Sequence, residues 1–134
     1  MRILKAVVVS ALIFYAIGSI AVNSSDDFAP EPRIIYPVSD TVDISGKDEV
    51  VFSWSSSGGN LAERVFYDFA LYKGRQAYEK YVIVKKRLPP NVYSFAVKAD
   101  MFEDGQVYTW TLSQGYIAKG KSDYAYCGFK VIKK

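Results

Sequence analysis

Large and small side chains alternate in residues 107–113, VYTWTLS, and this stretch decides the fold class. Residues two apart share one face of a strand, so Tyr108, Trp110 and Leu112 are expected on one side, with the threonines and the serine on the other. A large apolar face opposite a small polar face is typical of a sheet that buries only one of its sides.

Similar alternating runs recur through the rest of the chain, separated by short segments rich in Gly, Pro and Asn. Several short strands at such spacing are typical of a β-sandwich or barrel. Because no window shows a convincing helical period and no internal repeat or linker is evident, residues 32–134 are expected to form one all-β domain. The seven predicted strands are residues 33–36, 49–55, 65–72, 78–86, 92–98, 107–113 and 124–132.

The inward-facing positions of these strands predict a core of large apolar side chains. Each fully buried side chain of this size contributes about 1.5–3 kcal/mol, which is enough to hold a domain of this length together. The chain has one cysteine, Cys127, so no internal disulfide is available, and Cys127 is expected to be a small buried apolar side chain. The predicted core residues are Phe52, Trp54, Tyr67, Phe69, Leu71, Phe95, Tyr108, Trp110, Leu112 and Phe129.

The N-terminal segment predicts export. Arg2 and Lys5 precede an uncharged run over residues 6–22, and Ser19-Ile20-Ala21 has the small residues of a cleavage site. Residues 1–21 are therefore expected to be a signal peptide, followed by a flexible leader over residues 22–31. The alternative is an uncleaved membrane anchor through residues 6–22, because a span needs about 20 apolar residues with roughly 17 as a lower limit. In both cases the domain is expected outside the cytosol. A signal peptide implies a secreted, periplasmic or cell-envelope protein, and an anchor implies a single-pass membrane protein.

Composition excludes much chemistry. The chain has no histidine, which removes histidine-based catalytic triads and the usual zinc sites. The net charge of +3 is too small to indicate a nucleic-acid partner. No carboxylate pair or calcium-loop spacing is evident, so neither a small carboxylate hydrolase nor a metal site is expected. We expect a non-enzymatic protein without a cofactor.

One stretch fits a nucleotide-binding pattern. Residues 115–122, GYIAKGKS, match G-x-x-x-x-G-K-[ST]. A phosphate-binding loop needs a helix directly after it, because the amides of the helix N-terminus hold the phosphate. The residues that follow here have a strand pattern instead. We therefore expect an ordinary loop between two strands.

Taken in order, the strand residues resemble the fibronectin type III modules, which are immunoglobulin-like sandwiches. The matching elements are Trp54 at the end of VFSW, YDFAL at residues 67–71, YTWTL at residues 108–112 and GKS at residues 120–122. Residues 102–110 follow F-x-x-G-x-x-Y-x-W, as in divergent bacterial versions. The resemblance implies a seven-stranded antiparallel sandwich, here preceded by an apolar N-terminal helix, with Tyr108 as a corner tyrosine. It also implies a binding or structural module.

The candidate site is the outward face of the third, sixth and last predicted strands, which would be neighbours in such a sandwich. Exposed aromatic surface can mark a protein or sugar interface, although cross-strand aromatic pairs can also simply stabilise a sheet. Asp68 and Lys130 are the only charges expected on this face, and the loops over residues 56–60 and 116–121 are the next candidates. The expected partner is a protein or glycan of the cell envelope, and the alternative function is a membrane-anchored accessory subunit of a larger envelope complex. The candidate contact residues are Phe66, Tyr72, Thr109, Thr111, Tyr124 and Tyr126.

Overall fold

The computed structural model describes residues 29–56 and 63–134. The predicted signal peptide or anchor, the N-terminal helix, most of the leader and residues 57–60 of the predicted turn lie outside the described residues. Within them, the chain forms strands joined by turns, with two 3-10 turns at Glu79–Tyr81 and Ala99–Met101. The strands are β1 (Arg33–Tyr36), β2 (Thr41–Asp43), β3 (Glu49–Ser55), β4 (Arg64–Lys73), β5 (Val82–Leu88), β6 (Ser94–Lys98), β7 (Val107–Tyr116), β8 (Gly120–Lys121) and β9 (Ala125–Ile132).

The strands form two sheets. The smaller sheet has the order β1-β3-β6, and the larger has the order β2-β9-β7-β4-β5 with β8 beside β7. The predicted all-β sandwich is confirmed, but a purely antiparallel arrangement is wrong because β2 pairs with β9 in parallel. Neither β2 nor β8 was predicted. They have three and two residues, too few for an alternating pattern to show in the sequence.

The predicted strand bounds are exact for two strands and too short for two others. The bounds of β1 and β3 are those predicted, while β4 and β7 extend further and pair with each other from Arg64 opposite Tyr116 to Lys73 opposite Tyr108. The prediction of strand over residues 78–81 is wrong. That segment forms the Glu79–Tyr81 turn, and β5 begins only at Val82.

Aromatic rings fill the space between the two sheets. Phe52 lies edge-on to both Phe69 and Trp110, with ring centroids 5.1 Å apart in each pair. Trp54 packs 5.6 Å from Tyr67, and its indole N–H donates to the Val92 carbonyl. Nine of the ten predicted core residues are buried, and the tenth, Phe95, is half-buried against them, as is Cys127.

The turn before β7 is fixed by a tyrosine. The hydroxyl of Tyr108 accepts a hydrogen bond of 2.8 Å from the backbone N–H of Glu103. Gly105, between them, has a φ of +80°, a conformation that favours glycine. This hydrogen bond ties the connection between the two sheets to the start of the central strand.

Candidate functional site

We call the side of the larger sheet that faces away from the core the outer face. Its floor is made of small side chains on β4 and β7, namely Ala70, Thr109 and Thr111, which are all buried. The loop over residues 74–81 borders this floor on one side, and Tyr124 and Tyr126 border it on the other. Small residues between larger ones leave a trough across the sheet.

The loop over residues 74–81 is attached to the outer face. The hydroxyl of Thr109 donates a 2.8 Å hydrogen bond to the carbonyl of Gly74. The phenol of Tyr72 donates to Glu79 at 3.5 Å, and Lys85 forms a salt bridge with the same carboxylate. Burial raises the pKa of Tyr72, and the neighbouring charge of Glu79 raises it further.

This loop overturns part of the prediction for the site. Tyr72, Thr109 and Thr111 lie on the outer face as expected, but they are not exposed, and Tyr72 keeps only 6% of its surface in contact with solvent. The alternation of residues gave the correct side of the sheet. It did not indicate that the connection between β4 and β5 would cover these side chains.

The two tyrosines at the beginning of β9 remain accessible. Tyr124 is 49% exposed and Tyr126 is 72% exposed. The ammonium of Lys121 lies 4.7 Å from the centre of the Tyr124 ring and donates a hydrogen bond to its hydroxyl. Of the predicted contact residues, these two present the most surface to a partner.

Phe66 has a structural position. Its ring is half-buried, and the guanidinium of Arg87 lies 3.7 Å from the ring centre. Gly115 lies against the ring so closely that a Cβ at this glycine would be 2.3 Å from ring carbons. Phe66 therefore packs tightly against Gly115 and Arg87, with less ring surface free for a ligand than predicted.

The charges of the outer face are centred on Asp68. Its carboxylate accepts two hydrogen bonds from Arg87, at 2.7 and 2.8 Å, and lies 3.1 Å from the ammonium of Lys121. The hydrogen bonds from Arg87 are the main reason why the pKa of Asp68 is lowered. The carboxylate is thus held ionised between two cations.

The expectation that Asp68 and Lys130 are the only charges here is wrong. Strand β5 pairs with β4 so that Arg87 is opposite Asp68 and Lys85 is opposite Ala70, and hairpin strand β8 brings Lys121. Lys85 lies in the strand predicted over residues 78–86, but Arg87 lies outside it, so the pattern did not place the two on one face. It could not indicate which neighbouring strand they would meet.

The outer face contains two adjoining cavities. The charged cavity, of about 460 Å³, is lined by Asp68, Lys85, Arg87 and Lys121 among others. The tyrosine cavity, of about 520 Å³, is lined by Thr109, Thr111, Tyr126 and Arg75 among others. The two cavities share Tyr72, Glu79 and Tyr124 as lining residues, so they adjoin.

The nucleotide-binding pattern at residues 115–122 belongs to a β-hairpin. Gly115 accommodates Phe66, Gly120 has a φ of +75° in the turn, and Lys121 pairs with Asp68. Ser122 accepts a hydrogen bond from the Gln114 N–H and donates to the Asp123 carbonyl. The strand β9 follows, so the helix that a phosphate-binding loop requires does not.

Residues 29–56 and 63–134 contain no group of three or more His, Cys, Asp or Glu side chains placed to hold a metal ion. They also contain no helix with the length and apolar character needed to cross a membrane.

No protein-family model and no curated protein matches the chain. Among solved structures, one described as "Myokine structure" is similar with a TM-score of 0.48 and 13% identity, over 75% of this chain and 92% of that one. The FN1-FN3 domains of chicken CNTN1 are similar with a TM-score of 0.49 and 11% identity, over 87% of this chain and 34% of that one. The chain therefore spans about a third of the CNTN1 structure.

The strand order itself decides the architecture. Strands β1, β3 and β6 form one sheet, and β5, β4, β7 and β9 form the core of the other, with the Tyr108 hydroxyl bonded to backbone five residues earlier. The fold is fibronectin type III-like. Such folds carry many functions, so what a fibronectin type III-like domain does must be argued from its surface.

Proposed function

We propose that this protein is an exported, non-enzymatic binding module that holds a protein or glycan of the cell envelope on its outer face. The observation that carries the proposal is the pair Tyr124 and Tyr126, exposed beside two adjoining cavities on a face that takes no part in the core. Rigid aromatic rings bury a large area on binding and lose little side-chain entropy, which is why tyrosine is favoured at binding hot spots.

The test is a pull-down from the native envelope with the protein and a Tyr124→Ser/Tyr126→Ser variant. The variant should keep its melting temperature, since both side chains are largely exposed. It should lose most of the captured material. Tyr36→Ser is the matched control, because Tyr36 is an exposed tyrosine on the smaller sheet. Undiminished capture by the folded double variant would place the contact elsewhere, with residues 116–121 next in line.

A second function follows from the uncharged run over residues 6–22. If this segment stays in the chain as a membrane anchor, the protein acts as an accessory subunit of a larger envelope complex. Intact-mass measurement separates the two. A chain that begins near Val22 supports the exported module, whereas full-length chain found only in the membrane fraction supports the anchored subunit.

A further inference from the structure

We propose that the ligand of the outer face is an acidic polysaccharide, whose sugar rings pack on Tyr124 and Tyr126 and whose carboxylates pair with Arg75 and Lys121. This inference rests on the proposed function and specifies the chemistry of its partner.

The shape of the outer face suits a chain-like ligand. The charged and tyrosine cavities, about 460 and 520 Å³, each have the size of a small-molecule site. Because they share Tyr72, Glu79 and Tyr124, the two cavities lie side by side, and a chain-like ligand is long enough to contact both. Lys121 lines only the charged cavity and Arg75 only the tyrosine cavity, so cations occur in both.

The balance of charge favours an anion. Five cationic residues line the two cavities with the carboxylates of Asp68 and Glu79, namely Arg75, Lys85, Lys86, Arg87 and Lys121. Lys86 lies opposite the inward-facing Phe69, so its side chain points to the other side of the sheet and the other four cations face the ligand. Glu79 pairs with Lys85, and Asp68 is shared between Arg87 and Lys121, which leaves these two with one positive charge in excess.

Arg75 supplies the second excess charge. It is exposed and forms no salt bridge with any described residue. A guanidinium binds a carboxylate with two parallel hydrogen bonds, so Arg75 is suited to hold the acidic group of a ligand.

The surroundings of the tyrosines favour a sugar over a protein. The centres of protein interfaces are depleted of charged residues, but here charged side chains line the cavities beside the rings. The apolar C–H face of a sugar packs on the electron-rich face of an aromatic ring, and its hydroxyls need polar partners.

The outer face offers such polar partners. Gln76 and Thr111 line the tyrosine cavity beside the two rings. Amide and hydroxyl groups both donate and accept hydrogen bonds, so these two side chains can pair with the hydroxyls of a sugar.

The experiment is affinity electrophoresis of the purified protein in gels that contain either polygalacturonate, which carries carboxylates, or dextran, which is neutral. The protein should be retarded by polygalacturonate only, and added salt should weaken the retardation. Arg75→Gln and Tyr124→Ser/Tyr126→Ser should each lower the affinity by about tenfold, as expected for a lost hydrogen bond to a charged group or a lost aromatic contact.

Matched controls locate the effect. Lys98→Gln removes an exposed cation from the smaller sheet and should bind polygalacturonate as the unchanged protein does. Equal retardation of Arg75→Gln and the unchanged protein would overturn the proposal, as would retardation by dextran. If the tyrosine variant has a lowered melting temperature, its weaker binding could reflect unfolding. Arg75→Gln, at an exposed position, then tests the binding site by itself.

The two proposals fail separately. If polygalacturonate does not bind, but the tyrosine variant still loses its envelope partner, the acidic glycan is wrong and the outer face remains the contact surface. Protease treatment of the envelope that abolishes capture would then identify a protein partner. If the folded tyrosine variant keeps its envelope partner, the proposed function itself fails.

Discussion

The two faces of the larger sheet carry aromatic residues at the same two-residue spacing but use them differently. On the inner face, Phe69 and Trp110 are buried and pack against other rings. On the outer face, Phe66 and Tyr124 lie against cations, Arg87 and Lys121. Alternation therefore assigns a ring to a face, while the neighbouring strands decide whether that ring belongs to the core, supports the sheet or forms contact surface.

The outer face is held together by a series of contacts rather than by one cluster. Phe66 packs on Gly115 on one side and against the guanidinium of Arg87 on the other. Arg87 forms a salt bridge with Asp68, which also pairs with Lys121 beside Tyr124. Each exposed ion pair contributes at most about 1 kcal/mol, much less than a buried ring. Substitutions on the inner face should therefore lower the free energy of unfolding more than substitutions of the charged residues on the outer face.

The largest effect is expected at Trp54. This ring is buried among Tyr67, Phe69 and Trp110, so Trp54→Ala should lower the free energy of unfolding by about 3–5 kcal/mol. Tyr126→Ala, on the outer face, should change it by less than about 0.5 kcal/mol. Urea unfolding of both variants measures the difference. Equal stability of the two would show that the inner face is not the core.

Gly115→Ala should be the most damaging single change on the outer face. The added methyl would overlap the ring of Phe66, and overpacking of this kind costs about 1–3 kcal/mol. Gly128→Ala is the matched control, because its Cβ would lie 3.7 Å from the nearest atoms and would also restrict the unfolded chain. Thermal melts should show loss of stability only for Gly115→Ala. Similar melts for both glycine variants would contradict the packing of Phe66.

Tyr108→Phe should have an intermediate effect. It removes the hydrogen bond to the Glu103 N–H but keeps the ring, so the expected loss is about 1 kcal/mol. Tyr126→Phe, with its exposed hydroxyl, is the control and should leave the unfolding midpoint unchanged. If Tyr108→Phe leaves the free energy of unfolding unchanged, the turn before β7 is held by the packing of the ring alone.

Asp68 should make stability depend on pH at the acidic end. Hydrogen bonds from Arg87 hold its pKa in the folded state below the ordinary 3.8, so its contribution is present above pH 3.8 and is lost as the pH falls through the lowered value. Asp68→Asn should flatten the decline of stability with acid in that range. Asp100→Asn, at an exposed site outside the contact series, is the matched control for loss of a carboxylate and should leave the melting temperature at neutral pH unchanged. Parallel profiles for Asp68→Asn and the unchanged protein would exclude this linkage.

The smallest effect is expected for Lys121→Ala. Its ion pair with Asp68 is partly solvated, so we expect a loss of about 0.2–1 kcal/mol. Calorimetry should show no Mg-ATP binding before or after the change. Nucleotide binding that disappears in Lys121→Ala would overturn the structural explanation of the GYIAKGKS stretch.

The alternation in the sequence was sufficient for the strands that supply the core. Residues 49–55 were predicted as strand with the observed bounds, and Trp54 and Trp110 were placed inside, because burial of one face imposes a period of two. The short strand β2 and the turn at Glu79–Tyr81 escaped prediction. Three residues show no period, and the turn carries the same aromatic and charged residues as a strand.

The candidate site could be predicted only in part, because its burial and charge depend on contacts between segments that are far apart in the chain. The sequence indicated that Tyr124 and Tyr126 would be exposed, and they are. It could not indicate the burial of Tyr72, which depends on a loop that returns across the sheet. It also could not indicate the charged cavity, which depends on the register between β4 and β5.

The amino-acid sequence was enough to predict the all-β class, the inner faces of the main strands and the chemistry that the absence of histidine excludes. These properties follow from local periodicity and from the inventory of side chains, which do not depend on how strands are arranged. Three features could be seen only in the folded chain: Arg87 and Lys121 both pair with Asp68, Phe66 packs on Gly115, and the trough ends in two exposed tyrosines. Such contacts join residues far apart in the chain, and they exist only once the order and register of the strands are set.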